Sequence, residues 1–382
     1  MPKPKAQEQP RTALFLGAGA SAAFGLPVTS AIFPFIRDHL LSRTLFPTES
    51  NPKRERAKMD RLHGYLSKLL PAMFEQEIEL PLITDVLSLI DLLLSTGEIG
   101  MPMVSANDME EFRTLLVQAI VESIEKARND PRTNKSLDHL TDWILNMSEG
   151  EETPLTIIST NYDTMLESFL FEKLEISVFD DDMKLGNMVD MGFSWREHSS
   201  GKFLETIYHP PREPRLKIYK LHGSLSWLKC PLCGFIYVNT VGSIFRQAYR
   251  GDKVDYNNTC VCGHGPMHEV IVAPSMVRSI QDPNLLTIWR SALESMRMAT
   301  EWIIVGYSLP PEDIAIRSIF LRAYHGRGRK GTPPKIRIIQ KDRDKSMEGR
   351  YRLLFPDCEF EYGGFETFIG SLPKPQKHYP TF

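Results

Sequence analysis

Three short stretches carry the side chains best suited to chemistry. Asn161 and Asp163 close the segment Leu155-Thr-Ile-Ile-Ser-Thr-Asn-Tyr-Asp163, where an apolar run ends in polar residues just before a helical stretch. His222 follows the alternating run Leu216-Lys-Ile-Tyr-Lys-Leu221 and precedes Gly223 and Ser224. Its unperturbed pKa near neutrality suits a histidine to proton transfer, although a lone one is more often a satisfied core or surface residue. The third stretch is Leu14-Phe-Leu-Gly-Ala-Gly-Ala-Ser21, an apolar run that turns through Gly17, Ala18, Gly19, Ala20 and Ser21 into helix-compatible residues. Glycines there let backbone approach phosphate oxygens, and a helix N-terminus offers N–H groups and partial positive charge. That is the turn that holds a pyrophosphate in dinucleotide folds. A tight strand-to-helix turn with no ligand is spelled the same way.

Chemistry of this kind needs strands that end at one edge. In an open parallel sheet, residues at strand carboxyl ends face the ligand crevice. Asn161 and Asp163 are therefore expected to face the Gly17–Ser21 turn, with Asp163 also readable as the cap of the helix that follows. Glu301-Trp-Ile-Ile-Val305 and Lys335-Ile-Arg-Ile-Ile-Gln340 read as two further strands. Gly306, Tyr307 and Ser308 form a second glycine turn suited to phosphate or ribose contact, and Gln340 ends a strand where an adenosine half can be read. The fold class expected is α/β, a Rossmann-like parallel sheet with a small zinc-binding module and a helical insertion.

The module is marked by Cys230-Pro-Leu-Cys-Gly234 and Cys260-Val-Cys-Gly263. Two cysteine pairs, each followed by glycine, make a zinc-ribbon-like pattern. The second pair is one residue short of the usual C-x-x-C spacing, so His264 or His268 is an alternative to one of Cys230, Cys233, Cys260 and Cys262. A closed four-thiolate site leaves no open position for water, and the metal is read as structural.

The insertion lies between residues 36 and 148. Ile83, Val86, Leu87, Ile90 and Leu94 form one helical stripe, with Thr84 as its expected N-cap. Phe112, Leu115, Leu116, Ala119, Ile120 and Ile124 form a second, and Leu137, Leu140, Trp143 and Ile144 a third. These stripes read as core packing. Asn51-Pro-Lys-Arg-Glu-Arg-Ala-Lys58 reads as a solvated loop or helix face, Gly100–Asp108 as a loop, and 177–215, with Asp180-Asp-Asp182, as an irregular excursion. The chain thus divides into a disordered tail at 1–11, a Rossmann-like domain of 12–35, 149–225 and 270–370, the helical insertion at 36–148, a zinc module at 226–269 and a tail at 371–382. With 45 basic against 48 acidic residues, the net charge of −3 leaves no nucleic-acid footprint. No apolar run approaches the roughly 18 residues of a membrane span. Five cysteines, four of them clustered, fit a metal site in a reducing cytoplasm rather than a disulfide scaffold.

In order, Gly17-Ala-Gly-Ala-Ser21 with Gly25-Leu-Pro27, Thr160-Asn-Tyr-Asp163, Leu221-His-Gly223, the paired cysteines and Gly306-Tyr-Ser-Leu309 resemble the motifs of the sirtuin superfamily. The resemblance implies NAD bound in a cleft between the large domain and the zinc module. It implies that Ala18, Gly19 and Ser21 meet the pyrophosphate, with Gly17, Ala20, Thr160, Gly306, Tyr307, Ser308 and Gln340 completing the cofactor site. It makes Asn161 the residue that holds the nicotinamide ribose or a water, Asp163 the carboxamide partner and His222 the base. Two segments depart from protein-deacylating sirtuins. Pro27 is followed by Val28-Thr-Ser30 instead of Asp-Phe-Arg, and Ile271-Val-Ala-Pro-Ser-Met-Val-Arg278 stands where those enzymes carry a peptide-contacting Phe-Gly-Glu strand. A kept cofactor half and an altered peptide half resemble the bacterial sirtuin-like NAD hydrolases of antiphage defence. That resemblance implies a homo-oligomer acting by NAD depletion, with a HerA-like ATPase or a phage-encoded trigger as partner. The alternatives are a sirtuin-type deacylase or ADP-ribosyltransferase and a non-catalytic NAD or ADP-ribose sensor.

Overall fold

The computed structural model describes residues 11–47, 51–75, 77–96, 105–127, 134–148, 155–177, 185–199, 202–203, 206–240, 259–273, 275, 282–326 and 331–373. Residues 1–10 of the expected N-terminal tail, 100–104 of the expected 100–108 loop, Asp180–Asp182 and most of the C-terminal tail lie outside them, and 106–108 of that loop are helical. The described strands are β1 Thr12–Leu16, β2 Leu155–Ser159, β3 Val189–Asp190, β4 Trp195–Ser199, β5 Lys202–Phe203, β6 Leu216–Lys220, β7 Gly223–Lys229, β8 Ile236–Val238, β9 His268–Ile271, β10 Glu301–Val305, β11 Lys335–Gln340 and β12 Glu359–Tyr362. The helices are α1 Ala18–Ala22, α2 Thr29–Leu41, α3 Pro52–Leu69, α4 Ile83–Thr96, α5 Ala106–Ala127, α6 Asn134–Met147, α7 Met165–Ser177, α8 Leu185–Met188, α9 Pro283–Met298, α10 Ile314–His325, α11 Lys345–Leu354 and α12 Gly364–Ser371.

Seven strands form one parallel sheet in the order β12-β11-β10-β1-β2-β6-β3. Every residue of β1 and β2 is buried, as expected of parallel strands covered on both faces. From β1 the chain builds outward through β2, and later returns to the other side of β1 with β10. That reversal between β1 and β10 is the switch point where open α/β sheets bind ligands. Leu16 lies opposite both Val305 and Ser159, so the three central strands end at one level. The α/β architecture read from the sequence is the one observed.

A second sheet, β5-β4-β8-β7-β9, sits beside the first. β7 begins at Gly223, immediately after His222, so that histidine occupies the junction between the sheets. The excursion expected at 177–215 is not irregular throughout. It supplies edge strand β3 to the main sheet and β4 and β5 to the second, elements too short for periodicity to reveal.

The helical block packs around α5, which touches α2, α3 and α4. The three expected stripes are the buried faces of α4, α5 and α6. Two details differ. Helix α4 starts at Ile83, which puts Thr84 inside the first turn and buried, not at the cap. The charge run beginning at Asn51 is helical: Asn51 caps Arg54 N–H at 3.2 Å and Pro52 takes the first turn, where its missing N–H costs nothing. Yet Glu55 and Lys58 are buried as an ion pair at 3.2 Å, so one face of that run turns inward. Helix α2 runs across the boundary read at residues 35 and 36 and joins the phosphate turn to the block. No described helix is long and apolar enough to cross a membrane.

The turns after β1 and β10 interlock. Gly19 N–H donates to the Gly306 carbonyl at 2.8 Å. A Cβ on Gly17 would stand 2.6 Å from the Gly306 oxygen and from Tyr307 Cα, and one on Gly306, at φ +63°, would stand 2.2 Å from Ala20 N. Those contacts are backbone and cannot swing aside. Gly306→Ala should therefore cost about 3 kcal/mol of stability through positive φ and overpacking. Denaturant unfolding of the variant checks this; a midpoint equal to that of the parent would show that the turns can separate freely.

Candidate active site

A cavity of about 490 Å³ opens at the switch point. It is lined by the strand-end residues Ala18, Gly19, Ser21, Thr160, Asn161, Asp163, His222, Gly306, Tyr307, Ser308 and Gln340, which the sequence scatters over more than three hundred positions. Gly17 and Ala20 do not line it. They serve the turn itself: Gly17 N–H donates to Val305 O at 2.9 Å, and Ala20 is buried behind the turn.

His222 is 4% exposed and lies between the rings of Tyr162 and Trp289. Its Nδ1 stands 3.1 Å from the Thr160 carbonyl, which can only accept. Nδ1 therefore donates to it, and in the neutral ring Nε2 is the acceptor. Backbone bonds hold the residue: Leu221 N–H donates to Ser159 O and Val272 N–H to His222 O.

Asn161 gives both of its amide hydrogens to the first turn, one to Gly17 O at 2.9 Å and one to Ser21 Oγ at 2.8 Å. What remains to it is the acceptor Oδ1. Ser21 Oγ then donates to Asp163 Oδ2 at 2.7 Å, while Asp163 Oδ1 accepts Met165 N–H at 3.1 Å at the head of α7. The helix-start reading of Asp163 and its crevice reading are both satisfied by one carboxylate. The Ser21 hydroxyl, expected at the pyrophosphate, is spent inside this Asn161–Ser21–Asp163 chain. Gly19 N–H, also expected there, is spent on Gly306, which leaves Ala18 N–H as the turn amide without a partner among the described residues.

The second turn is equally braced. Tyr307 O accepts from Gln340 Nε2 at 2.6 Å and from Tyr351 OH at 2.7 Å, and Tyr307 OH donates to Asp313. Arg350 on α11 also lines the cavity, donating to Ser308 O at 3.0 Å and to Ser346 Oγ at 2.8 Å, with no carboxylate partner among the described residues. It supplies positive charge that the turn amides have largely committed elsewhere. No sequence signal marked Arg350, because its relevance exists only through the approach of α11 to Ser308. Leu82, Thr84 and Ile124 of the helical block form part of the same wall, so Ile124, read as core packing, also shapes the site.

The four clustered cysteines come together on the second sheet. Their sulfur atoms all lie within 4.8 Å of one another, and the pairs Cys230–Cys262 and Cys233–Cys260 are 3.7 and 3.6 Å apart. Tetrahedral zinc with bonds of about 2.3 Å requires sulfurs about 3.8 Å apart, so the set fits that ion. Neither His264 nor His268 belongs to it. Gly234 and Gly263, at φ +72° and +81°, close the two knuckles. Burial raises the Cys260 thiol, but a hydrogen bond from Tyr237 and bonds from Cys262 and Cys233 bring it down to about 7, while burial and the neighbouring thiols push Cys233 up.

The model of the SIR2-like domain family matches residues 155–353, and this chain belongs to that family. Membership supports a sirtuin-type, NAD-dependent function. No curated protein matches the chain. Among solved structures it is similar to Sir2Tm bound to a propionylated peptide, at 12% identity over 94% of this chain and 90% of that one, with a TM-score of 0.36, a likeness too distant to transfer a residue's role.

Two outcomes are expected. Protein purified without added metal should carry one zinc per chain by elemental analysis, and Cys260→Ser should lose it; a folded parent free of metal would rule the site out. Arg350→Ala should weaken ADP-ribose binding about tenfold, the scale of one charge-assisted hydrogen bond. Calorimetric titration measures this, and an unchanged Kd would put the guanidinium outside the bound ligand.

Proposed function

We propose that this protein is an NAD glycohydrolase that releases nicotinamide and ADP-ribose. The observation that carries the reading is a histidine whose Nδ1–Thr160 contact makes Nε2 the acceptor of the neutral ring, in one cavity with an asparagine left only its acceptor oxygen. The C1′–N1 bond breaks with its electron pair leaving on the nicotinamide nitrogen, and positive charge builds on the ribose as in glycoside hydrolysis. Asn161 Oδ1 orients a water by accepting one of its hydrogens. The water oxygen bonds to C1′ and its other proton passes to His222 Nε2. Asp163, through its remaining lone pairs, receives the carboxamide N–H₂ of the leaving group. Positioning and general-base assistance of this kind contribute about 10²–10⁴-fold for the base and more for the alignment. A zinc ion held by Cys230, Cys233, Cys260 and Cys262 would have four thiolates and no open position, so it would brace the second sheet, from which β7 runs back to His222, without entering the reaction.

On the same reading the chain depletes NAD in antiphage defence in the cytoplasm, as a homo-oligomer assembled mainly through the helical block and partnered by a HerA-like ATPase. Support for this part comes from the helices α3 to α6, which exceed what an NAD site needs, and from the departures at Val28–Ser30 and Ile271–Arg278.

Asn161→Ala and His222→Ala should each lower nicotinamide release by about 10²–10⁴-fold while keeping zinc, fold and most of the affinity for ADP-ribose. Chromatographic measurement of nicotinamide, with and without phage proteins or the ATPase partner, reads this out. His222→Ala working at the parental rate would remove the base assignment, and NAD binding without any release under all these conditions would make the protein a sensor.

A further inference from the structure

Below the cavity lies a buried ion pair that the proposed chemistry does not use. Lys220, the last residue of β6 and two residues before His222, is 2% exposed. Its ammonium donates to Glu167 Oε1 and to the main-chain carbonyl of Asp163. Glu167 stands in the first turn of α7, four residues beyond Asp163. Burial pushes its carboxyl up, Lys220 pulls it down, and Asp163 pushes it up again. Taking two charges out of water is costly, and a well-packed apolar pair often does as well for stability. The pair therefore calls for a reason other than holding the fold together.

Its contacts supply one. The loop 160–163 carries Asn161 and Asp163, and its near end is held by Thr160 N–H on Leu16 O and by the Thr160 carbonyl at His222. Farther on, Leu225 N–H takes Tyr162 O, and Lys220 takes Asp163 O. Lys220 thus joins the strand that leads into His222 to the end of the loop that presents Asn161, and Glu167 fixes the direction of the ammonium. A small cavity adjoins the same groups, with Ser21, Ser159, Asn161, Asp163, Glu167 and Lys220 on one side and apolar side chains such as Phe24, Leu140, Ile218 and Phe365 on the other, so the ion pair borders a largely apolar space.

We propose that Lys220 and Glu167 are positioning residues that set the distance between Asn161 and His222, a role that rests on the NAD cleavage proposed above. The test separates positioning from stability. Lys220→Met alone strands a buried carboxylate and can fail to fold, so the decisive variant is Lys220→Met with Glu167→Leu. It should unfold no earlier than the parent and bind ADP-ribose with unchanged affinity. Its kcat for nicotinamide release should nevertheless fall about 10²-fold at nearly constant KM, the scale of a misplacement near 1 Å. Amide hydrogen exchange at 160–164 should quicken in the same variant, while Glu167→Gln, which keeps the acceptor oxygen, should retain most of the protection. Parental kcat in the double variant, with exchange at 160–164 unchanged, would overturn the proposal and leave the pair a structural contact. If the parent itself releases no nicotinamide, the hydrolase reading fails on its own, and the exchange result alone decides: unchanged protection overturns the positioning role, and faster exchange upholds the tether.

Discussion

The backbone contact between the turns after β1 and β10 is the constraint on which the rest depends. Gly19 N–H meets Gly306 O, and Cβ atoms at Gly17, Gly19 or Gly306 would collide with the opposing main chain. The glycines look like those of a phosphate loop, but their first duty is toward each other. Bringing the two turns this close sets the mouth of the cavity. It also uses up donors that a dinucleotide would otherwise take, and makes an external cation such as Arg350 worth having. From the same turn, Gly17 O and Ser21 Oγ accept the amide hydrogens of Asn161, so the geometry of Asn161 descends from that glycine packing.

The central strands were legible because burial on both faces demands uninterrupted apolar runs, and β1, β2 and β10 are such runs. Their carboxyl ends were legible for the same reason: where Leu155–Ser159 stops, polar residues start, and topology does the rest. The cysteine pairs marked the cluster in the sequence, but Cys260-Val-Cys262 is one residue short of the usual spacing, and only the fold leaves His264 and His268 out of the set. Orientation within the site could not be read from the sequence. Whether Ser21 faces a phosphate or Asp163 depends on a neighbour 142 residues away in the chain. Ile124 shows a different limit. The stripe on α5 was correctly apolar, but a stripe cannot say which of its members abuts helix and which abuts a cavity. Strands β3 and β5, two residues each, fall below any periodic signal and exist only because β6 and β4 offer them a partner.

Three structural regions converge on His222. The main sheet delivers it through β6, the second sheet departs from it through β7, and the loop at Thr160 sets its tautomer. Gly223 is the pivot: at φ +82° its Cβ position lies 1.9 Å from Val270 O, so only glycine permits the chain to pass from one sheet to the other there. Cys230 follows directly on the far end of β7, so the cysteine cluster and the histidine flank the two ends of one strand.

The pairing of β1 with β10 has a consequence for biosynthesis. Arg11 and Thr300, whose hydrogen bond heads that pair, are separated by 289 residues. A ribosome releases β1 long before its neighbour on that side exists, while α2 to α5, which pack on one another around α5, emerge together. Non-local parallel pairing closes late, after local helical structure has formed. The turn that shapes the cavity mouth is therefore among the last features to assemble, and a nascent or truncated chain ending before Gly306 lacks it. For a protein whose proposed activity consumes a metabolite every cell requires, the topology itself delays that activity until synthesis is nearly complete.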